Sequence, residues 1–298
     1  VRSDVERGVS LSGALGHHPN VFPPLMVNMV RAGEVGGFLD DVLASVATNF
    51  ENEVKLRGKI KSAMAYPVVV FVIAILAVGG MLLFSGPGFE NLFTSLGGEL
   101  PFLTQILVWM SVALRWGIIP IIIGLVLLTV FWNRNKNKRS FREQVEPLYL
   151  KAPVFGQLVR KIALARFARN LSSLTRAGVP ILQSLDSVGQ ASGNIVIEDA
   201  VADVREAVKT GNSIARPLSQ HPIFPPMVVQ MIAVGEDTGE VDTMLDKVAD
   251  FYDEEVEATT EALTSLIEPL MIAVLGGIIG FMVIGLYMPI FSVFELVQ

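Results

Sequence analysis

Apolar residues in this chain fall into two patterns: long unbroken runs, and stretches in which they recur every three to four positions. Residues 66–89 and 269–294 contain no Asp, Glu, Lys or Arg, and 100–132 is interrupted only by Arg115. About 20 apolar residues cross a bilayer, so three membrane helices are expected. Between the runs the spacing is helical. Ile162, Ala165, Phe167, Leu171 and Leu174 lie three to four apart with basic residues between them, and Gly178-Val179-Pro180 ends that helix and starts another bearing Ile181, Leu182, Leu185 and Val188. Gly193-Asn194 separates it from a helix over 195–209, and Gly211-Asn212-Ser213 supplies a stop followed by a cap. Phe224-Pro225-Pro226 reads as a helix entry, and Gly235-Glu236-Asp237-Thr238-Gly239 as the acidic turn closing it. A long helix from Val241 carries Leu245, Val248 and Tyr252 on one face. No stretch alternates with a strand period, so the expected fold is all-α.

The basic residues orient the spans. Lys55, Arg57, Lys59 and Lys61 precede the first, and Arg134, Lys136, Lys138, Arg139 and Arg142 follow the second, whereas 85–114 holds no Lys or Arg. The expected plan is a partial first cytoplasmic domain over 1–65, spans over 66–89, 107–132 and 268–294, and a periplasmic loop over 90–106. A linker with the second cytoplasmic domain takes 133–267, and a periplasmic tail 295–298. Arg115, beside Trp109 and Trp116, reads as an interfacial anchor; its alternative is a charge on a transport path.

The chain also repeats itself. A shift of 202 places Phe22-Pro23-Pro24 on Phe224-Pro225-Pro226, Gly33-Glu34 on Gly235-Glu236, Gly37 on Gly239, Asp40 on Asp242, Leu43 on Leu245 and Pro67 on Pro269. Over the 51 positions 22–72, 16 are identical, too many for chance alignment of apolar text. With one inserted residue, Gly8, Ser10 and His18-Pro19 fall on Gly211, Ser213 and His221-Pro222. Each copy is a small helical bundle running into a span, and the middle span returns the chain so that both bundles share one side. The second copy starts far ahead of Gly211 and the first only seven residues ahead of Gly8, so the first copy is expected to be partial, in a chain that opens at Val1 without a leader. Pro67 and Pro269, at equivalent points, are expected to bend helix into span.

Composition narrows the functions. Of 298 residues 51% are apolar and 17% charged, with mean hydropathy +0.53, outside the range of ordinary soluble domains. A net charge of −6 argues against nucleic acid, and the absence of cysteine excludes thiol chemistry. No nucleotide loop, zinc helix or nucleophile elbow occurs, and no cofactor or metal is expected. His17, His18 and His221 sit in loop text beside prolines. Glu236, Asp237, Glu240 and Asp242 read as a solvated helix start or docking surface, with cation binding as the alternative. Arg115 and Glu268 lie near span ends, which disfavours a transporter or channel, the competing function class. Gly276-x-x-x-Gly280 in the last span is a spacing that suits close helix packing and also occurs by accident.

The run Lys59-Ile60-Lys61-Ser62-Ala63-Met64-Ala65-Tyr66-Pro67, with Ala74 and Met81 at matching spacing, resembles the signature of the type II secretion system protein F family. These are the inner-membrane platform proteins of type IV pilus and type II secretion machines. Ser85-Gly86 ahead of Pro87 depart from the two apolar residues of that pattern. Leu266-Ile267-Glu268-Pro269 and Tyr287-Met288-Pro289-Ile290-Phe291 are similar in the second copy. The wording of 59–67, Phe89-Glu90-x-x-Phe93 and Glu99-Leu100-Pro101 look more like the pilus branch. The resemblance implies a non-enzymatic, multi-pass scaffold in the bacterial inner membrane. It would contact a hexameric assembly ATPase, pilin or pseudopilin, other inner-membrane assembly proteins and copies of itself. It also makes Gly33, Glu34, Gly37, Gly235, Glu236 and Gly239 candidates for partner contact, with helix capping as the alternative.

Overall fold

The computed structural model describes residues 1–96, 101–136, 138–153 and 155–296, with side chains except at 84–96 and 289–296. The parts of the expected loop and tail at 97–100 and 297–298, and the motif side chains at Pro87 and Pro289-Ile290-Phe291, lie outside that description. Twelve helices and no strand occur among the described residues: α1 (Arg2–Glu6), α2 (Leu11–Gly16), α3 (Pro24–Gly36), α4 (Leu39–Leu96), α5 (Phe102–Asn135), α6 (Arg139–Lys151), α7 (Phe155–Arg176), α8 (Ile181–Ala191), α9 (Ile195–Lys209), α10 (Ala215–Leu218), α11 (Pro226–Thr238) and α12 (Val241–Leu296). They form two compact units, one of residues 1–60 and 138–260, the other of 61–137 and 261–298.

In the first unit the main core is a cluster around α7, beside a smaller one of Leu15, Val27 and Val30. Leu164, Phe167, Leu171 and Leu174 are fully buried against Leu185, Ile197, Val204, Val228, Ile232 and Leu245, and the Phe167 and Phe224 rings meet edge to face at 5.0 Å. The spacing predicts an amphipathic α7, yet Ala163, Ala165, Ala168, Asn170 and Ser172 are buried too. The reason is that α4 covers a second side of it through Val42, Val46 and Asn49, with Asn49 Nδ2 donating to Asn170 Oδ1 at 3.1 Å and Ser173 Oγ at 3.2 Å.

The two copies therefore bury different stripes of equivalent helices. Leu245 and Val256 of α12 are 0% and 1% exposed, whereas their identical counterparts Leu43 and Val54 of α4 are 39% and 67% exposed. Glu53 and Glu255, also equivalent, both reach α7: Arg166 donates to Glu53 at 2.8 Å and Lys161 to Glu255 at 2.7 Å.

In the second unit α4, α5 and α12 supply three helices long and apolar enough to cross a membrane. Helix extends further than the sequence suggests. The expected loop over 90–106 is helical at 90–96 and from Phe102, because apolar text resumes at once after Pro101, the N-cap of α5. Leu82, Leu107 and Met282 form the buried contact of this unit.

Candidate functional site

The candidate residues of the repeat assemble into two copies of one device, here called a clasp. In the first, Glu34 of α3 reaches back to α2: its Oε1 accepts from the Leu11 N–H and its Oε2 from the Ser12 N–H at 3.0 Å, while Ser10 Oγ accepts from the Gly13 N–H at 3.1 Å. In the second, Glu236 Oε1 accepts from the Ile214 N–H at 2.5 Å and Oε2 from Ala215 at 3.0 Å, with Ser213 Oγ accepting from Arg216 at 3.3 Å. The first turn of a helix has N–H groups without intrahelical partners and a partial positive charge. One serine and one distant carboxylate satisfy three of those groups in each copy. Burial works to raise the Glu34 pKa, but hydrogen bonds from Ser12 and Leu11, with Arg31 nearby, outweigh it and hold the carboxyl below its ordinary value.

The glycines on either side do two different jobs. Gly37 and Gly239 end α3 and α11 with φ of 78°, a left-handed conformation that L side chains disfavour, and their N–H groups close onto the Gly33 and Gly235 carbonyls. Gly33 and Gly235 lie inside their helices rather than in the turn. A Cβ on Gly33 would stand 2.9 Å from Val42 Cγ2, and one on Gly235 would stand 2.7 Å from Val241 Cα. Their role is close approach of consecutive helices. The candidate acids Glu34 and Glu236, both half-buried, thus place their carboxylate oxygens on helix starts.

Other candidates separate differently. Pro67 is buried and Pro269 exposed, both inside unbroken helix. A Cβ on Gly276 or Gly280 meets nothing within 4 Å, so neither packs against a described neighbour. The packing glycine is Gly285: a Cβ there would stand 2.5 Å from Leu107 Cδ1, and Thr104 Oγ1 donates to its carbonyl at 2.7 Å. Arg115, Trp109 and Trp116 are exposed. His17 and His221 lie 3.9 and 3.6 Å from Asp4 and Asp203, and no group of three metal-ligating residues gathers among the described residues.

The sequence reading missed a charged seam along α7. Arg169 donates to Asp246 at 2.8 Å and to Asp250 and Asp253 at 2.7 Å each. Burial works to lower its pKa, but hydrogen bonds and charge from Asp250 and Asp253 raise it. Beside it a cavity of about 370 Å³ is lined by Thr48, Asn49, Asn52, Arg169, Ser173 and Asp246. The aspartates at 246, 250 and 253 recur at helical spacing, the signal that was available.

Fold and site together define a multi-pass helical membrane protein with a duplicated, clasped domain. The family model for type II secretion system protein F matches residues 1–87 and 167–289, one match for each copy. The chain is 43% identical over 301 residues to the type IV pilus assembly protein PilC of Myxococcus xanthus, and 44% over 294 residues to that of Thermus thermophilus. These alignments cover 100% and 98% of this chain and 72% of each relative. It is 36% identical over 299 residues to type II secretion system protein F of Vibrio cholerae, covering all of this chain and 73% of that protein. The chain belongs to the type II secretion system protein F family, on its type IV pilus branch. Proteins of this family reside in the inner membrane, and the three apolar helices agree with a multi-pass location there.

Proposed function

We propose that this chain is the inner-membrane platform of a type IV pilus machine and performs no bond chemistry of its own. The observation that carries this reading is similarity along essentially the whole chain to relatives named for type IV pilus assembly. On this reading both repeats face the cytoplasm, contact a hexameric assembly ATPase, and pass its motion to pilin subunits held by the membrane helices. Two features support mechanical transmission. α4 and α12 are continuous helices of 58 and 56 residues, about 85 Å each at 1.5 Å per residue. Each starts two residues after a clasp glycine, so its first turn is held close to the clasp. The six clasp residues then act on partners by holding the surface around them, and Pro67 and Pro269 set the direction of the emerging helix.

A clean deletion tests the reading. Cells lacking the protein are expected to accumulate pilin in the inner membrane and to display no fibres, and the purified protein to hydrolyse no nucleotide. Normal fibres after deletion overturn it.

A further inference from the structure

We propose that α6 is a strap, latched by charge to the start of α9 and able to open while the core of its unit stays folded. The latch repeats the clasp pattern a third time. Asn194, the N-cap of α9, accepts from the Val196 N–H at 2.9 Å, and a carboxylate 49 residues away, Glu146 of α6, accepts from the Ile195 N–H. Arg142 braces that carboxylate, donating to Glu146 at 2.6 Å and to Glu198 in the first turn of α9 at 3.0 Å, and Arg139 donates to Asp199 at 2.7 Å. Arg142, Glu146 and Glu198 are 22%, 18% and 21% exposed, so salt screens them less than the outer pair of Arg139 and Asp199, at 62% and 51%.

What differs is the helix that carries the carboxylate. Glu34 and Glu236 stand on helices with buried residues of their own, among them Met29 of α3 and Ile232 of α11. No residue of α6 is fully buried: Leu150 packs partly buried on the main core, and Phe141 and Tyr149 have interactions of their own. α7, α8 and α9 each bury five residues or more. α6 is also a weak helix by itself. Its N-cap, Lys138, makes no side-chain cap bond, and its first turn holds Arg139 and Arg142 and no acid, against the helix dipole. Pro147 removes a backbone hydrogen bond from its interior. An element with little buried apolar surface opens below the free energy of global unfolding, and here the hydrogen bonds and charges at the start of α9 hold it shut.

Hydrogen exchange of the whole protein in nanodiscs, read by mass spectrometry, tests the strap. Residues 139–151 are expected to exchange together, through an opening that residues 163–174 of α7 do not share. Raising salt from about 0.05 M to about 0.5 M should speed 139–151 by about two- to fivefold, as the exposed pair is screened. Glu146→Ala removes charge-assisted hydrogen bonds and should speed the same segment about tenfold or more. Both changes should leave 163–174 as in the native protein. The chain has no cysteine, so R139C and D199C added to the Glu146→Ala protein can be bridged by a bis-maleimide, which should return 139–151 to slow exchange. The proposal is overturned by exchange of 139–151 as slow as that of 163–174 in the native protein, or by exchange of 139–151 that salt leaves unchanged. Equal acceleration of both segments in Glu146→Ala also overturns it, since Glu146 would then support the core.

Discussion

Glu34 and Glu236 show how much structure one carboxylate can organise. Each accepts two backbone N–H groups that would otherwise be unmet at a helix start, from a position 22 or 23 residues along the chain in the first copy and 21 or 22 in the second. A capping box read from sequence looks three residues ahead, so these bonds are invisible to it; only the repeat marked the acids as special. Replacing Glu236 by Ala should cost about 1–2 kcal/mol of stability, the scale of a lost cap, read as a lower thermal midpoint in detergent. The pH dependence follows from the depressed pKa of Glu34. Its contribution is complete above the ordinary carboxylate value near 4.5 and is lost as pH falls through the lower folded-state value. The stability advantage of the native protein over Glu34→Gln should therefore be present at pH 7 and shrink below pH 4.5; an advantage that grows on acidification contradicts this. Gly285→Ala drives a methyl into Leu107 and should destabilise by about 1–3 kcal/mol, whereas Gly280→Ala should change little. Glycine spacing in the sequence could not choose between these positions, because the choice depends on Leu107 and Thr104, some 180 residues away.

At the scale of elements, helices were legible wherever period and punctuation agreed. The helix expected over 195–209 is α9 (Ile195–Lys209), and the entry at Phe224-Pro225-Pro226 starts α11 at Pro226. What the period could not reveal is how many sides of a helix are covered. α7 reads as amphipathic because its arginines look solvent-facing, but Arg166 and Arg169 spend their charge on Glu53 and on the aspartates of α12. The same limit hides the difference between copies, since Leu43 and Leu245 are identical in sequence and opposite in burial. Leu245→Ala should cost about 2–5 kcal/mol by opening a cavity in the core. Leu43→Ala should cost under about 1 kcal/mol. Equal losses in the two unfolding midpoints would contradict the described packing.

For the whole molecule, duplication does the organising. Two equivalent repeats share one compact unit, and each runs into a long helix, α4 or α12, with α5 between them in the chain. The asymmetry of Lys and Arg around uncharged runs gives the expected orientation of the spans, while the lengths of the helices beyond those runs were not legible, because polar and apolar text are equally helical here. The most direct measurement is accessibility of single cysteines, in this cysteine-free chain, to a membrane-impermeant thiol reagent in intact cells and in opened cells. D40C, K136C and D237C are predicted to react only after the cytoplasm is opened, and F102C to react in intact cells. Labelling that puts K136C and D237C on opposite sides of the inner membrane would contradict the proposed platform, in which both repeats face the cytoplasm.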